Sequence, residues 1–214
     1  MKILEVSILA FERSFFKFRK TAKRMKLNGI KNVHYDVMDG KFVPNTAFEG
    51  EKINFLSKQG FKINVHLMVC DVENYIKKFI YLPVTNITFH CEPIDKERIK
   101  ECIKFIRSKN IGAGIAIKPN TKLEDYAEII KMCDVITLMG VEPGFGGQKY
   151  IPQTTEKLKQ LQKIKPQTTL IELDGGVTTE IIKETKKYVD IFVSGSFLTN
   201  YKGDIKGLIE LVQN

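Results

Sequence analysis

No tryptophan occurs in the 214 residues, and there are only three histidines, four cysteines and seven prolines. The cysteines, Cys70, Cys91, Cys102 and Cys133, contain no C-x-x-C pair, so their spacing fits neither a zinc knuckle nor a small disulfide scaffold. Free thiols in a reducing compartment are the simplest account, three of them inert within or beside apolar segments. No run approaches the ~18 consecutive apolar residues of a membrane-spanning helix. The opening segment MKILEVSILAFERS is broken by Glu5 and stopped by Glu12 and Arg13. It therefore lacks the uninterrupted core of a signal peptide and reads as a first buried strand, so a cytoplasmic protein with no membrane partner is expected. A dinucleotide fold would place G-x-G-x-x-G after that strand; Leu9-Ala10-Phe11-Glu12 stands there instead. With no repeat, no low-complexity segment and no linker, residues 1–214 are expected to form one domain.

Acidic residues are in deficit: 25 against 34 basic ones, a net charge of +9. The densest basic stretch is Lys17, Arg19, Lys20, Lys23, Arg24 and Lys26. A basic helix face is the footprint of a nucleic-acid binder. Here basic residues recur along the whole chain without accompanying loop aromatics, which favours a solvated face, and no nucleic-acid partner is expected. The positive field also favours the approach of a small anionic substrate. Hydrophobic residues at 43% and charged ones at 28% are those of an ordinary soluble globular chain, which excludes disorder, collagen and coiled coil.

What is present is alternation. Short apolar runs predict strands at Ile3–Ile8, Asn32–Asp36, Lys62–His66, Asn86–Phe89, Gly112–Ile117, Val135–Leu138, Thr169–Leu173 and Ile191–Val193. Helical spacing predicts Ser14–Leu27, Val72–Phe79, Lys96–Arg107, Leu123–Lys131, Thr154–Ile164, Thr178–Lys186 and Asp204–Val212, with Phe48–Lys58 filling the remaining slot. Eight strands with one helix each is the count of an α/β (β/α)₈ TIM barrel, an eight-stranded parallel sheet closed on itself. Its chemistry belongs at the C-terminal strand ends.

Those ends carry Ser7, His34, Asp36, His66, His90, Glu142, Asp174, Ser194 and Ser196, which include every histidine of the chain. His34, Asp36 and Met38 alternate onto one face of the second strand, as do His66 and Met68 on the third. Inward polar groups are costly unless paired or bound to a metal. His34, Asp36, His66 and Asp174 can converge above the barrel as an N₂O₂ set suited to one divalent ion: zinc, iron(II), manganese or cobalt. His90 fits a pocket wall or a partner of that set better than a third imidazole ligand. Asp39 reads as a loop hydrogen-bonder and Lys118 as solvated. Met38 and Met68 suit ordinary core packing equally well. Three glycine loops, Gly144-Phe145-Gly146-Gly147, Gly175-Gly176 and Gly195 before Ser196, lie at adjacent strand ends and imply a phosphate-bearing ligand.

These segments together resemble the ribulose-phosphate 3-epimerase family. The resemblance rests on Ser7-Ile8-Leu9, the block His34 to Asn45, His66-Leu67-Met68-Val69, the block Val141 to Gln148, Asp174-Gly175-Gly176 and Gly195-Ser196, spread from the first strand to the eighth. It implies reversible conversion of D-ribulose 5-phosphate to D-xylulose 5-phosphate in the pentose phosphate pathway. It implies a divalent metal on His34, Asp36, His66 and Asp174, with Asp36 and Asp174 as the two acid/base groups and no organic cofactor. Ser7, His66, Gly144, Phe145, Gly146, Gly147, Asp174, Gly175, Gly176, Gly195 and Ser196 would bind the ketose phosphate, and Met38, Met68 and Met139 would line the reacting centre. Self-association is common in the family, which leaves a homo-oligomer open.

Three departures stand out: Val6 where a proline is common, Ala10-Phe11-Glu12 where Ser-Ala-Asp is common, and Gly140 where serine or threonine is usual. Two other readings compete. One is a sister epimerase acting on a six-carbon ketose phosphate such as allulose 6-phosphate, which would be expected to alter glycines that are intact here. The other is a non-catalytic barrel binding anionic polymers through the basic helix face.

Overall fold

A computed structural model describes residues 2–10, 15–47, 50–200 and 204–214. Eight parallel strands close into a barrel in chain order: β1 (Ile3–Ser7), β2 (Asn32–Met38), β3 (Lys62–Met68), β4 (Asn86–His90), β5 (Gly112–Ile117), β6 (Val135–Met139), β7 (Leu170–Asp174) and β8 (Ile191–Ser194). The closing pair is β1 with β8, in register Leu4 to Phe192. Sheet closure leaves no unpaired edge.

Each strand is followed by helical structure: α1 (Phe15–Leu27), α2 (Ile53–Lys58), α3 (Val72–Phe79), α4 (Lys96–Arg107), α5 (Ala127–Ile130), α6 (Gln153–Ile164) and α7 (Thr179–Thr185), then α8 (Ser196–Asn200) and α9 (Ile205–Gln213) after β8. The helix α4 shows why such segments form where they do. Asp95 caps it by accepting from the Glu97 and Arg98 backbone amides, and Ile99, Cys102, Ile103 and Ile106 bury one stripe against the sheet. On α1 the same logic buries Phe18, Ala22 and Met25. The basic residues Lys17, Arg19, Lys20, Lys23, Arg24 and Lys26 are left on the exposed side.

The differences from expectation are mostly at ends. Strands β2 and β3 run two residues further than the sequence suggests, through Met38 and Met68, because polar inward residues continue the ladder instead of ending it. The β5–β6 connection is a 3₁₀ turn at Glu124–Tyr126 running into one turn of helix, shorter than the predicted Leu123–Lys131. The predicted Phe48–Lys58 helix is confined to Ile53–Lys58; its first residues, Phe48 and Glu49, lie outside the described residues, as does Phe11. The short helix α8 was not anticipated. Cys91, Cys102 and Cys133 are buried, and Cys70 is exposed. Burial raises the Cys102 thiol to about 11 and the Cys133 thiol to about 12, the state of inert core thiols. Among the described residues, no helix is long and apolar enough to cross a membrane.

Candidate active site

Alternation along β2 turns Tyr35 and Val37 outward into the helix layer and His34, Asp36 and Met38 inward. His66 on β3 pairs across from Asp36 in the ladder, and Asp174 ends β7 on the far side of β1 and β8. Four atoms meet. His34 Nε2 lies 3.1 Å from His66 Nδ1, 3.5 Å from Asp36 Oδ1 and 3.6 Å from Asp174 Oδ2. His66 Nδ1 lies 3.5 Å from Asp36 Oδ1 and 3.4 Å from Asp174 Oδ2. A tetrahedral ion with ligand distances of about 2.0–2.2 Å requires ligand-to-ligand separations of roughly 3.3–3.6 Å. Four of these five separations fall in that range, and the His34–His66 separation, at 3.1 Å, is slightly shorter. The predicted four residues therefore fit a divalent metal once the two rings move apart by a few tenths of an ångström.

The electrostatics agree. Burial would raise the Asp36 carboxyl, but the His34 and His66 rings beside it outweigh burial and hold it below the usual carboxylate range. Burial would also lower both rings, yet Glu172, Asp36 and Asp174 hold His34 well above an ordinary histidine, and Asp174 and Asp36 do the same for His66. The place thus carries concentrated negative charge that calls for a cation.

The remaining polar atoms are arranged behind the cluster. Ser7 Oγ donates to Asp36 Oδ2 at 2.6 Å, leaving Oδ1 for the cluster. His66 Nε2 lies 3.1 Å from His90 Nε2, and His90 Nδ1 lies 2.9 Å from Glu92 Oε2. Burial depresses the His90 ring to about 4, so it stays neutral; the Glu92 carboxylate calls for its one proton on Nδ1, which leaves Nε2 to accept from His66. His90 is therefore a partner of the cluster and not a member of it. Glu92 is held at about 2: the His90 contact and bonds from the Lys118 backbone and Thr121 overcome its burial. Asp39 accepts from the Lys41, Phe42 and Cys70 amides and so shapes its loop. Lys118, expected in solvent, is half-buried with Nζ 4.0 Å above the Phe42 ring.

Above the cluster opens a cavity of about 540 Å³. Ser7, Asp36, Met38, Met68, Met139 and Asp174 line it together with Gly144, Phe145, Gly146, Gly147, Gly175, Gly176, Gly195 and Ser196. His34 and His66 lie beneath its floor, so the ring of His66 faces the cluster and His90 and does not line the cavity. The glycine loop after β6 is fastened by Asn45, whose amide donates to the Gly144 carbonyl at 2.9 Å, and by Gln148, which donates to the Glu142 and Phe145 carbonyls.

The profile of the ribulose-phosphate 3 epimerase family matches residues 3–199. This chain belongs to the ribulose-phosphate 3-epimerase family. It is 37% identical to the ribulose-phosphate 3-epimerase of Mycoplasma pneumoniae, over 83% of this chain and 81% of that one. It is 39% identical to that of Mycoplasma genitalium, over 79% of each. The enzyme class is accordingly isomerase, of the epimerase kind. A tryptophan synthase structure from Mycobacterium tuberculosis superposes with a TM-score of 0.70 at 10% identity, covering 100% of this chain and 93% of that one, a likeness of fold alone.

One departure from the ribulose-phosphate 3-epimerase pattern has a local cause. A Cβ at Gly140 would run into the Gly175 carbonyl oxygen and come within 2.9 Å of the Tyr150 ring, so a serine or threonine has no room there. Tyr150 also lies under Gly176, which has φ +69° and whose Cβ would approach the Tyr150 amide nitrogen at 2.6 Å. Gly176→Ala is expected to cost about 1–3 kcal/mol of stability through strain and a displaced loop, read as a lowered urea midpoint. An unchanged midpoint would show that the loop yields freely.

Sequence reasoning assigned no role to Glu5, Glu172, Asn45, Gln148 or Tyr150. For two of them a signal existed. Glu5 precedes Ser7, and Glu172 precedes Asp174, by two residues in a strand, which puts each pair on the same inward face.

Proposed function

We propose that this protein interconverts D-ribulose 5-phosphate and D-xylulose 5-phosphate by moving a proton at C3, within the cytoplasmic pentose phosphate pathway. The observation that carries the reading is the placement of two carboxylates, Asp36 from β2 and Asp174 from β7, around one cluster and in the lining of one cavity. A divalent ion on His34, Asp36, His66 and Asp174 would supply Lewis-acid stabilisation of the charge that develops on the C2 and C3 oxygens. Its donor set admits zinc, iron(II), manganese or cobalt.

Inversion needs proton removal on one face of C3 and delivery on the other. One carboxylate acts as base while the other, protonated, acts as acid, and the reverse reaction exchanges the roles. Ser7 keeps Asp36 oriented through its 2.6 Å hydrogen bond. Met38, Met68 and Met139 keep water and stray proton donors from the reacting carbon. The phosphate is held by backbone amides of Gly144–Gly147, Gly175, Gly176 and Gly195 with Ser196 at the start of α8, the usual phosphate region of such barrels. Binding energy from that remote group places C3 between the acids.

A coupled assay with ribulose 5-phosphate beside allulose 6-phosphate tests the substrate. We expect kcat/KM to favour the five-carbon sugar by at least about tenfold, the scale on which a pocket discriminates one carbon unit. A preference for the hexulose would move the assignment to the sister epimerase. The basic face of α1 has no part in this reading, since none of its residues lines the cavity.

A further inference from the structure

Below the four-residue cluster the barrel interior is polar, where barrels of this architecture usually hold branched apolar side chains. Glu5 and Glu172 are 0% and 2% exposed, and His34 between them 1%. Glu5 Oε2 and Glu172 Oε1 each lie 3.7 Å from Nδ1 of His34. The second Glu5 oxygen is taken by the Asn64 amide, and Glu172 Oε1 also accepts the Thr137 hydroxyl at 2.7 Å. Among the described residues, no hydrogen-bond partner reaches His34 Nδ1 or Glu5 Oε2.

A neutral imidazole carries a proton on one nitrogen and a lone pair on the other. A lone pair on Nδ1 would face an oxygen of Glu5 and one of Glu172 and be repelled by each in its ionised form. Burial raises Glu5 to about 7, whereas at Glu172 burial is outweighed by the His34 ring, which holds that carboxyl below the usual carboxylate range, so Glu172 is the stronger of the two. A proton there is attracted to both in a low-dielectric interior, although 3.7 Å is too long for a full hydrogen bond to either. That choice leaves the lone pair on Nε2, the atom that meets Asp36, His66 and Asp174.

We propose that Glu5 and Glu172 are positioning residues that hold the His34 proton on Nδ1 from two sides and so present Nε2 as a metal ligand. The inference rests on the reading of His34, Asp36, His66 and Asp174 as a metal site. Glu5 is the less expected member, since β1 supplies no residue to that cluster. The arrangement is the mirror of His66, whose Nδ1 faces the cluster and whose Nε2 is backed by His90 and Glu92.

Zinc is a suitable probe, and with three histidines in the chain, ¹⁵N-histidine labelling yields a spectrum of three rings. We expect one zinc per chain, with His34 bearing its proton on Nδ1 and its metal on Nε2, and His66 the reverse. Glu5→Gln and Glu172→Gln should each weaken zinc affinity about tenfold to a hundredfold in chelator competition and shift the His34 Nδ1–H resonance while leaving the His66–His90 pair in place. Each glutamate's role stands or falls with its own variant: unchanged zinc affinity and unchanged His34 signals overturn it. A His34 proton found on Nε2 in the wild-type protein overturns the proposal whether or not the variants fold. Two zinc ions per chain, falling to one in Glu5→Gln, overturn it in favour of a second ion among Glu5, His34 and Glu172. A wild-type protein that binds no zinc removes the underlying metal-site reading as well, which is distinct from a loaded wild type with indifferent variants.

Discussion

Replacing Asp36 or Asp174 by asparagine is expected to leave the barrel folded and to lower turnover by at least about 10³-fold, the scale of losing a general acid or base. Asparagine is nearly isosteric, and its carbonyl oxygen can still accept from Ser7, which in the wild-type protein donates to Asp36. What disappears is the group that takes or gives the proton, together with one unit of negative charge beside His34 and His66. Loss of metal would mimic loss of acid/base function, so bound metal must be measured in the same preparations. A sharper signature is exchange of the C3 hydrogen with solvent. A variant keeping one competent carboxylate should retain exchange for one epimer at most, and the two variants should retain it for opposite epimers. Near-normal turnover in either variant would count against the two-carboxylate scheme.

Stripping the metal with a chelator should abolish activity, restored on adding a divalent ion back, and should also lower the melting temperature. An ion present at about a thousandfold its Kd contributes roughly 4 kcal/mol to the folded state. For a chain of 214 residues that corresponds to roughly 8–16 °C, at 2–4 °C per kcal/mol. The gap between loaded and stripped protein should narrow as pH falls. In the stripped protein Asp36, Asp174 and Glu172 make the His34 and His66 rings bind protons more readily than a free histidine, and those protons compete with the ion. A melting temperature indifferent to chelation would show that the cluster is satisfied by its own charges.

Much of the site was legible because strands turn spacing into geometry. His34 and Asp36 share a face by alternation, and placing them at a strand's C-terminal end needed only the barrel topology. The helices α3 and α4 coincide with their predicted spans because a strong apolar stripe marks both. The site's supports were harder to see. Glu5 interrupts an apolar run and looks like an obstacle to burial, yet it lies fully buried beside His34. Gly140 looks like a lost hydroxyl, and its reason lies in the Gly175 carbonyl across the neighbouring strand end and in the Tyr150 ring, ten residues on.

From its order of residues alone this chain declares a β/α alternation, the four side chains able to hold a cation, and three glycine loops at neighbouring strand ends. Those are local properties, set by periodicity and residue chemistry. Which nitrogen of each histidine faces the cluster was decided only by closure of the barrel. So were the release of one Asp36 oxygen by Ser7 and the backing of the two rings by Glu5 and Glu172 or by His90 and Glu92. Such pairings join strands far apart in the chain, and their geometry depends on register and barrel curvature, which no short stretch of sequence encodes.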